Sequence, residues 1–236
     1  MSALLLMFPA ATVAYSQQLP DANEVVARMM AHDAQRQSVF QGYTAFRRYV
    51  LEVPHRHKRA EMLVKMTCSE DGSKQFETVS ETGWHAARKH VFPRLLESES
   101  SASRPNVRER SRITPDNYLF EMVGTDSIDQ RLAYVMTITP KTEDKYLVKG
   151  RIWVDAEDYA IMRIKGKPAK NPSFWTRSVH FVHTYEKRGS FWLPVSDRSV
   201  TDVWILGTTD LAIDYFDYAP NTTFSALDRM PFRSMQ

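Results

Sequence analysis

Hydrophobic and polar residues divide this chain into one helical stretch followed by a long series of strands. Ala22, Val25, Val26, Met29 and Met30 recur at the three-to-four spacing of a helix with one apolar face. Asp21 stands before them and Glu24 three residues later, the spacing of a capping box, so a helix is expected over 22–37, ending before Gln41-Gly42. From Tyr43 the period changes to two. Strands are expected at 43–52, 61–69, 75–80, 118–123, 132–139, 146–155, 159–165, 178–187, 191–206 and 210–218. The polar stretch Val53-Pro54-His55-Arg56-His57 and the acidic stretch Asp155-Ala156-Glu157-Asp158 read as turns.

The middle of the chain breaks the alternation. Val91, Phe92, Leu95 and Leu96 can share one face of a short helix with Pro93 in its first turn. Residues 97–112 carry five serines and no aromatic residue, and are expected to be the most mobile internal segment. The fold class is therefore mainly β (α+β). About ten strands in one antiparallel sheet must curl strongly, so a half-open barrel is expected, with an N-terminal helix and a short helical lid over a hydrophobic cavity. No Gly/Pro-rich linker divides residues 17–236, which are read as a single domain.

A curled sheet turns one face inward, and the more uniformly apolar set is the one to enclose. That set is Met62, Val64, Met66, Tyr134, Met136, Ile138, Ile152, Val154, Met162 and Ile164, with Phe92, Leu95 and Leu96 as the lid. Glu61, Lys65 and Arg151 alternate with it on the other face. Trp153 is the exception, because period two places it among the charged residues. Eleven methionines, five of them at strand positions, favour a cavity that adapts to an apolar occupant.

Composition narrows the function. The net charge of +3 is spread among acidic residues rather than gathered into a stripe, so no nucleic-acid partner is expected. Residues 4–13 form an apolar run followed by Ala14-Tyr15-Ser16, which reads as a signal peptide over 1–16, cleaved on export to the periplasm. No cysteine follows this run, so an N-terminal lipid anchor is not expected. The one cysteine, Cys68, alternates with apolar residues and reads as a small buried side chain. Seven histidines give no chelating pair: His55 and His57 sit in a cationic turn, and His180 and His183 point to opposite faces of a strand. No phosphate loop, G-x-S-x-G or HExxH occurs. Neither metal nor cofactor is expected, and the chain does not read as an enzyme.

The helix of 21–32 leading into Tyr43–Glu52, and above all the stretch 146–203 with its Gly150-Arg151-Ile152-Trp153-Val154-Asp155 strand and acidic turn, resembles the LolA/LolB-like periplasmic lipoprotein-carrier superfamily, including outer-membrane lipoprotein-sorting proteins. The resemblance implies a half-open barrel that shields acyl chains of lipoproteins or related lipids, acting as a monomer between a membrane-protein donor and acceptor. It also implies a barrel arginine bonded to the lid; Arg47, Arg48, Arg151 and Arg163 are the candidates, and the sequence does not choose among them. Segment 97–112 departs from the superfamily pattern. The alternative reading is a sensor or partner-binding module on the same fold.

Overall fold

Ten antiparallel strands form where the alternation marks them, and the computed structural model joins them into one curved, open sheet; it describes residues 19–171, 176–204 and 207–220. The strands are β1 (Tyr43–Val53), β2 (Lys58–Cys68), β3 (Lys74–Gly83), β4 (Tyr118–Ile128), β5 (Arg131–Pro140), β6 (Val148–Asp155), β7 (Ile161–Pro168), β8 (Thr176–Arg188), β9 (Phe191–Val203) and β10 (Gly207–Pro220). Their order across the sheet is β3-β2-β1-β10-β9-β8-β7-β6-β5-β4. Every pairing therefore joins sequence neighbours except that of β1 with β10, and β3 and β4 do not pair. The outer strands are β3 and β4, so the curled sheet is not closed into a barrel. The signal peptide expected over 1–16 lies outside the described residues.

Helix α1 (Ala22–Ser38) starts where the cap signal places it, with the Asp21 carboxylate accepting the Asn23 N–H at 2.8 Å. The reciprocal half of the capping box is not used; Glu24 bonds Arg28 at 2.6 Å instead. The buried stripe Ala22, Val25, Val26 and Met29 packs on Met136, Ile138, Ile152 and Val154, which places α1 over β4–β7 on the concave side.

Residues 97–112, in which the sequence pattern marks no element, are largely helical: α2 (Phe92–Ala102) runs through the first part and α3 (Pro105–Ser111) follows it. The serines and charges that read as solvated are specific partners. The Ser103 hydroxyl accepts the Lys74 N–H at 2.8 Å, Ser100 donates to the Lys74 carbonyl at 3.2 Å, and Arg108 donates to the Asp71 carbonyl. Anchoring by hydrogen bonds leaves no apolar signature for periodicity to detect.

The 155–158 turn forms where expected, and the strand after it starts later than its pattern suggests. The start of the turn is pinned by Asp155, whose carboxylate accepts the N–H groups of Glu157 and Asp158 at 3.0 and 2.7 Å and a two-point bond from Arg131. Tyr159, expected in a strand, adopts φ +49° instead and turns its ring toward α1. There Arg28 donates to its hydroxyl at 2.9 Å and His32 lies 5.3 Å from its ring. The chain regains strand geometry only at Ile161, with a bulge opposite Trp153 and Val154.

Candidate functional site

The concave face holds two separate cores. One joins β1, β2 and β10 to α2 through Tyr49, Met62, Val64, Met66 and Phe92. The other joins β4–β7 to α1. Strands β8 and β9 lie between them, and neither helix fills the space above. An open cavity of about 1120 Å³ occupies that gap. Its floor is Val179, Phe181 and His183 of β8 with Phe191, Leu193 and Asp197 of β9, and Met29 and Leu95 reach it from the two helices.

This arrangement separates the expected cavity residues. Met62, Val64 and Met66 are buried in the α2 core; Met136, Ile138, Ile152 and Val154 are buried in the α1 core, with Tyr134 packed beside them. None of these lines the open space, whereas Ile164 does. Met162 lies elsewhere. The bulge in β7 sets Ile161 opposite Val154, so Met162 turns to the convex side and joins Ile128, Ala133, Val135 and Trp153 in a third cluster. Trp153, left without an environment by the alternation, is nearly buried there and donates its indole N–H to Asp126 at 2.9 Å. Of the expected lid residues, Phe92 is fully buried, Leu96 packs on the same core, and Leu95 alone also borders the cavity.

A polar chain crosses the groove floor. Arg47, fully buried on β1, donates to Glu99 of α2 at 2.6 Å and to the Tyr215 hydroxyl of β10 at 2.9 Å. Its guanidinium carbon sits 4.4 Å from the Tyr215 ring centre and 5.0 Å from that of Tyr49. Tyr49 donates to the second Glu99 oxygen at 3.0 Å. Tyr215 donates in turn to Asp197, whose other oxygen meets His183 Nδ1 at 2.6 Å. Among the candidate arginines it is thus Arg47 that bonds the lid helix; Arg48 is paired with Asp214 on the other side of the strand.

Burial and charge shape the titration of this chain. Burial pushes the Tyr215 and Tyr49 hydroxyls up, and the neighbouring carboxylates Asp197 and Glu99 push them further. Burial would raise Asp197 too, but the bonds from His183 and Tyr215 outweigh it and hold this carboxyl below the usual range. Among the described residues no three His, Cys, Asp or Glu side chains converge to hold a metal ion.

The sequence carried signals for part of this chain. Arg47 stands at even spacing with Tyr43, Ala45, Tyr49 and Leu51, so alternation places a charge on the buried face. Glu99 follows Phe92, Leu95 and Leu96 by seven, four and three residues, on the apolar stripe of α2. Asp197 and His183 gave no such signal, because their partnership depends on the β8–β9 register.

No protein-family model and no curated protein matches the chain. Solved structures resemble its backbone course over most of its length. An outer membrane lipoprotein-sorting protein domain from Vibrio parahaemolyticus is 13% identical with a TM-score of 0.48, covering 87% of this chain and 96% of its own. A DUF1329 family protein from Desulfovibrio piger is 12% identical with a TM-score of 0.47, covering 86% and 95%. A LolA superfamily protein from Nitrosomonas europaea is 10% identical with a TM-score of 0.37, covering 86% and 94%. The curved open sheet with helices on its concave face is the half-open, mainly β architecture expected from the sequence.

Proposed function

We propose that the protein is a carrier that shelters the acyl chain of a lipid or lipoprotein in the groove between α1 and α2, moving it through the periplasm between a membrane donor and acceptor. One observation carries this reading: the middle of a curled sheet is left uncovered by either helix, and Val179, Phe181, Phe191 and Leu193 line the floor there beside the His183–Asp197 pair. A protein without an apolar partner would gain by collapsing such a space, since each methylene removed from water contributes about 0.8 kcal/mol. Ten sheltered methylenes contribute about 8 kcal/mol, the free energy of a micromolar complex before the cost of immobilising the chain. No helix among the described residues is long and apolar enough to cross a membrane.

Native mass spectrometry of the purified protein tests the proposal. Wild type is expected to carry a lipid or acylated peptide released by collisional activation. Phe181→Asp and Phe191→Asp, on the half-buried floor, are expected to lose that mass while unfolding as cooperatively as wild type. A lipid-free wild type that also fails to bind N-phenyl-1-naphthylamine, a neutral apolar dye, would rule the carrier out.

A further inference from the structure

One end of the groove, beneath α2 and α3, is unlike the rest. Lys74 and Arg108 both line it. Lys74 pairs with Cys68 at the start of β3, and its backbone is fixed to α2 by Ser100 and Ser103. Arg108 projects from α3 across Gly72, which has φ +78°; a Cβ there would stand 1.8 Å from an Arg108 guanidinium nitrogen. Glycine therefore opens the space the guanidinium occupies.

The five carboxylates that line the groove are already engaged. Both Glu99 oxygens are taken by Arg47 and Tyr49. Asp71 accepts from the Ser73 N–H and hydroxyl, each at 2.8 Å. Asp33 and Glu109 pair with Arg112, and Asp197 with His183 and Tyr215. The Lys74 ammonium has no ion pair among the described residues, and Arg108 bonds only a backbone carbonyl there. Burial, and after it the charge of Arg47, holds the Lys74 amine below its ordinary range. A half-buried ammonium with three donors and no protein acceptor, facing the groove, is placed to bond an anion that arrives with a ligand.

We infer that the groove takes a single-chain anionic amphiphile, its tail along β8 and β9 and its carboxylate or phosphate against Lys74 and Arg108. This rests on the carrier reading and specifies the class of its cargo: the head carries a negative charge. An ammonium and a guanidinium in a partly desolvated recess form charge-assisted bonds to either anion, and the apolar floor gives the tail its shelter.

Displacement of bound N-phenyl-1-naphthylamine by palmitate, hexadecyl phosphate and hexadecanol, which share one chain length, tests this. Palmitate or hexadecyl phosphate is expected to bind about tenfold tighter than hexadecanol, as one charge-assisted bond would give, and the ratio between the two anions tells carboxylate from phosphate. K74M is expected to bring the anions down to the level of hexadecanol, while K74R retains the preference. Sodium phosphate alone is expected not to displace the dye; displacement by it would overturn the inference. If all three chains bind wild type equally, or if K74M keeps the preference, the inference falls and the carrier reading stands. If none of the three displaces the dye, both fall.

Discussion

Helix α1 lies on β4–β7 through Ala22, Val25, Val26 and Met29 against an apolar bed, whereas α2 reaches β1 and β10 through a carboxylate on a buried arginine. The core of the α1 contact is non-directional, with Arg28 and Arg36 adding bonds to Tyr159 and the Asp158 carbonyl at its rim; its free energy scales mainly with the area kept from water. The α2 contact adds bonds that need the right angle and distance and are lost together when the helix moves. The two covers of the groove therefore differ in kind. The first is a wall seated mainly on apolar area; the second is latched, with directional bonds added to the buried Phe92 contact.

The largest test strikes the wall. Ile152, fully buried in the α1 core, changed to Asp is expected to cost at least about 4 kcal/mol, because an unpaired charge has no water to reach. Thermal unfolding followed by circular dichroism should show a protein unfolded or barely folded. A stably folded variant would mean that the α1 half is wet rather than dry.

Breaking the latch should cost less and be recoverable. Glu99→Gln leaves Arg47 buried without an anion and is expected to destabilise by about 3 kcal/mol, since Glu99 itself keeps some access to water. The double variant Arg47→Met with Glu99→Leu should recover most of that loss, because an apolar pair needs no charge balance. A urea-denaturation cycle measures both. Additive losses in the cycle would show that the two residues do not act as a unit.

Acid gives the smallest effect. A carboxyl held below its usual range stabilises the fold at pH above the unfolded value, about 4, and that contribution disappears as pH falls through the lower folded value. Asp197 beneath α2 is such a group. The other half has one too: burial would raise Asp155, but Arg131 and the turn N–H groups hold it down. Melting temperature is expected to drop below about pH 4. Asp197→Asn and Asp155→Asn should each flatten part of that drop, and a drop unchanged in both would overturn the assignment.

The strands, the first helix and the curl were legible in the sequence because each rests on a periodic pattern that burial enforces. The groove was not. Alternation identifies which side chains face inward, but Met136 and Val64 face inward into packed core while Phe181 and Phe191 face inward into open space. That difference is set by where α1 and α2 stop along the sheet, a property of helix length and docking rather than of any strand. Met162 escaped for a smaller reason: one bulge in β7 reverses parity, and no residue type marks it. Segment 97–112 escaped because a helix anchored by serine hydroxyls and charged groups has the composition of a loop.

The pairing of β1 with β10 has a consequence in time. Strands β4 to β10 form by successive hairpins between sequence neighbours, and so do β1 to β3, but the two runs join only when Tyr43 finds Pro220 and Glu52 finds Asp210. Closing so long a loop is entropically slow, and the nascent chain must wait for its last strand before the seam can form. Arg47 and Tyr215 stand on opposite sides of that seam. Before it closes, Arg47 can meet Glu99, Tyr49 and Met66 from its own run, but the bond to Tyr215 and the link onward to Asp197 wait for the seam. The polar chain across the groove is thus completed only by the long-range pairing.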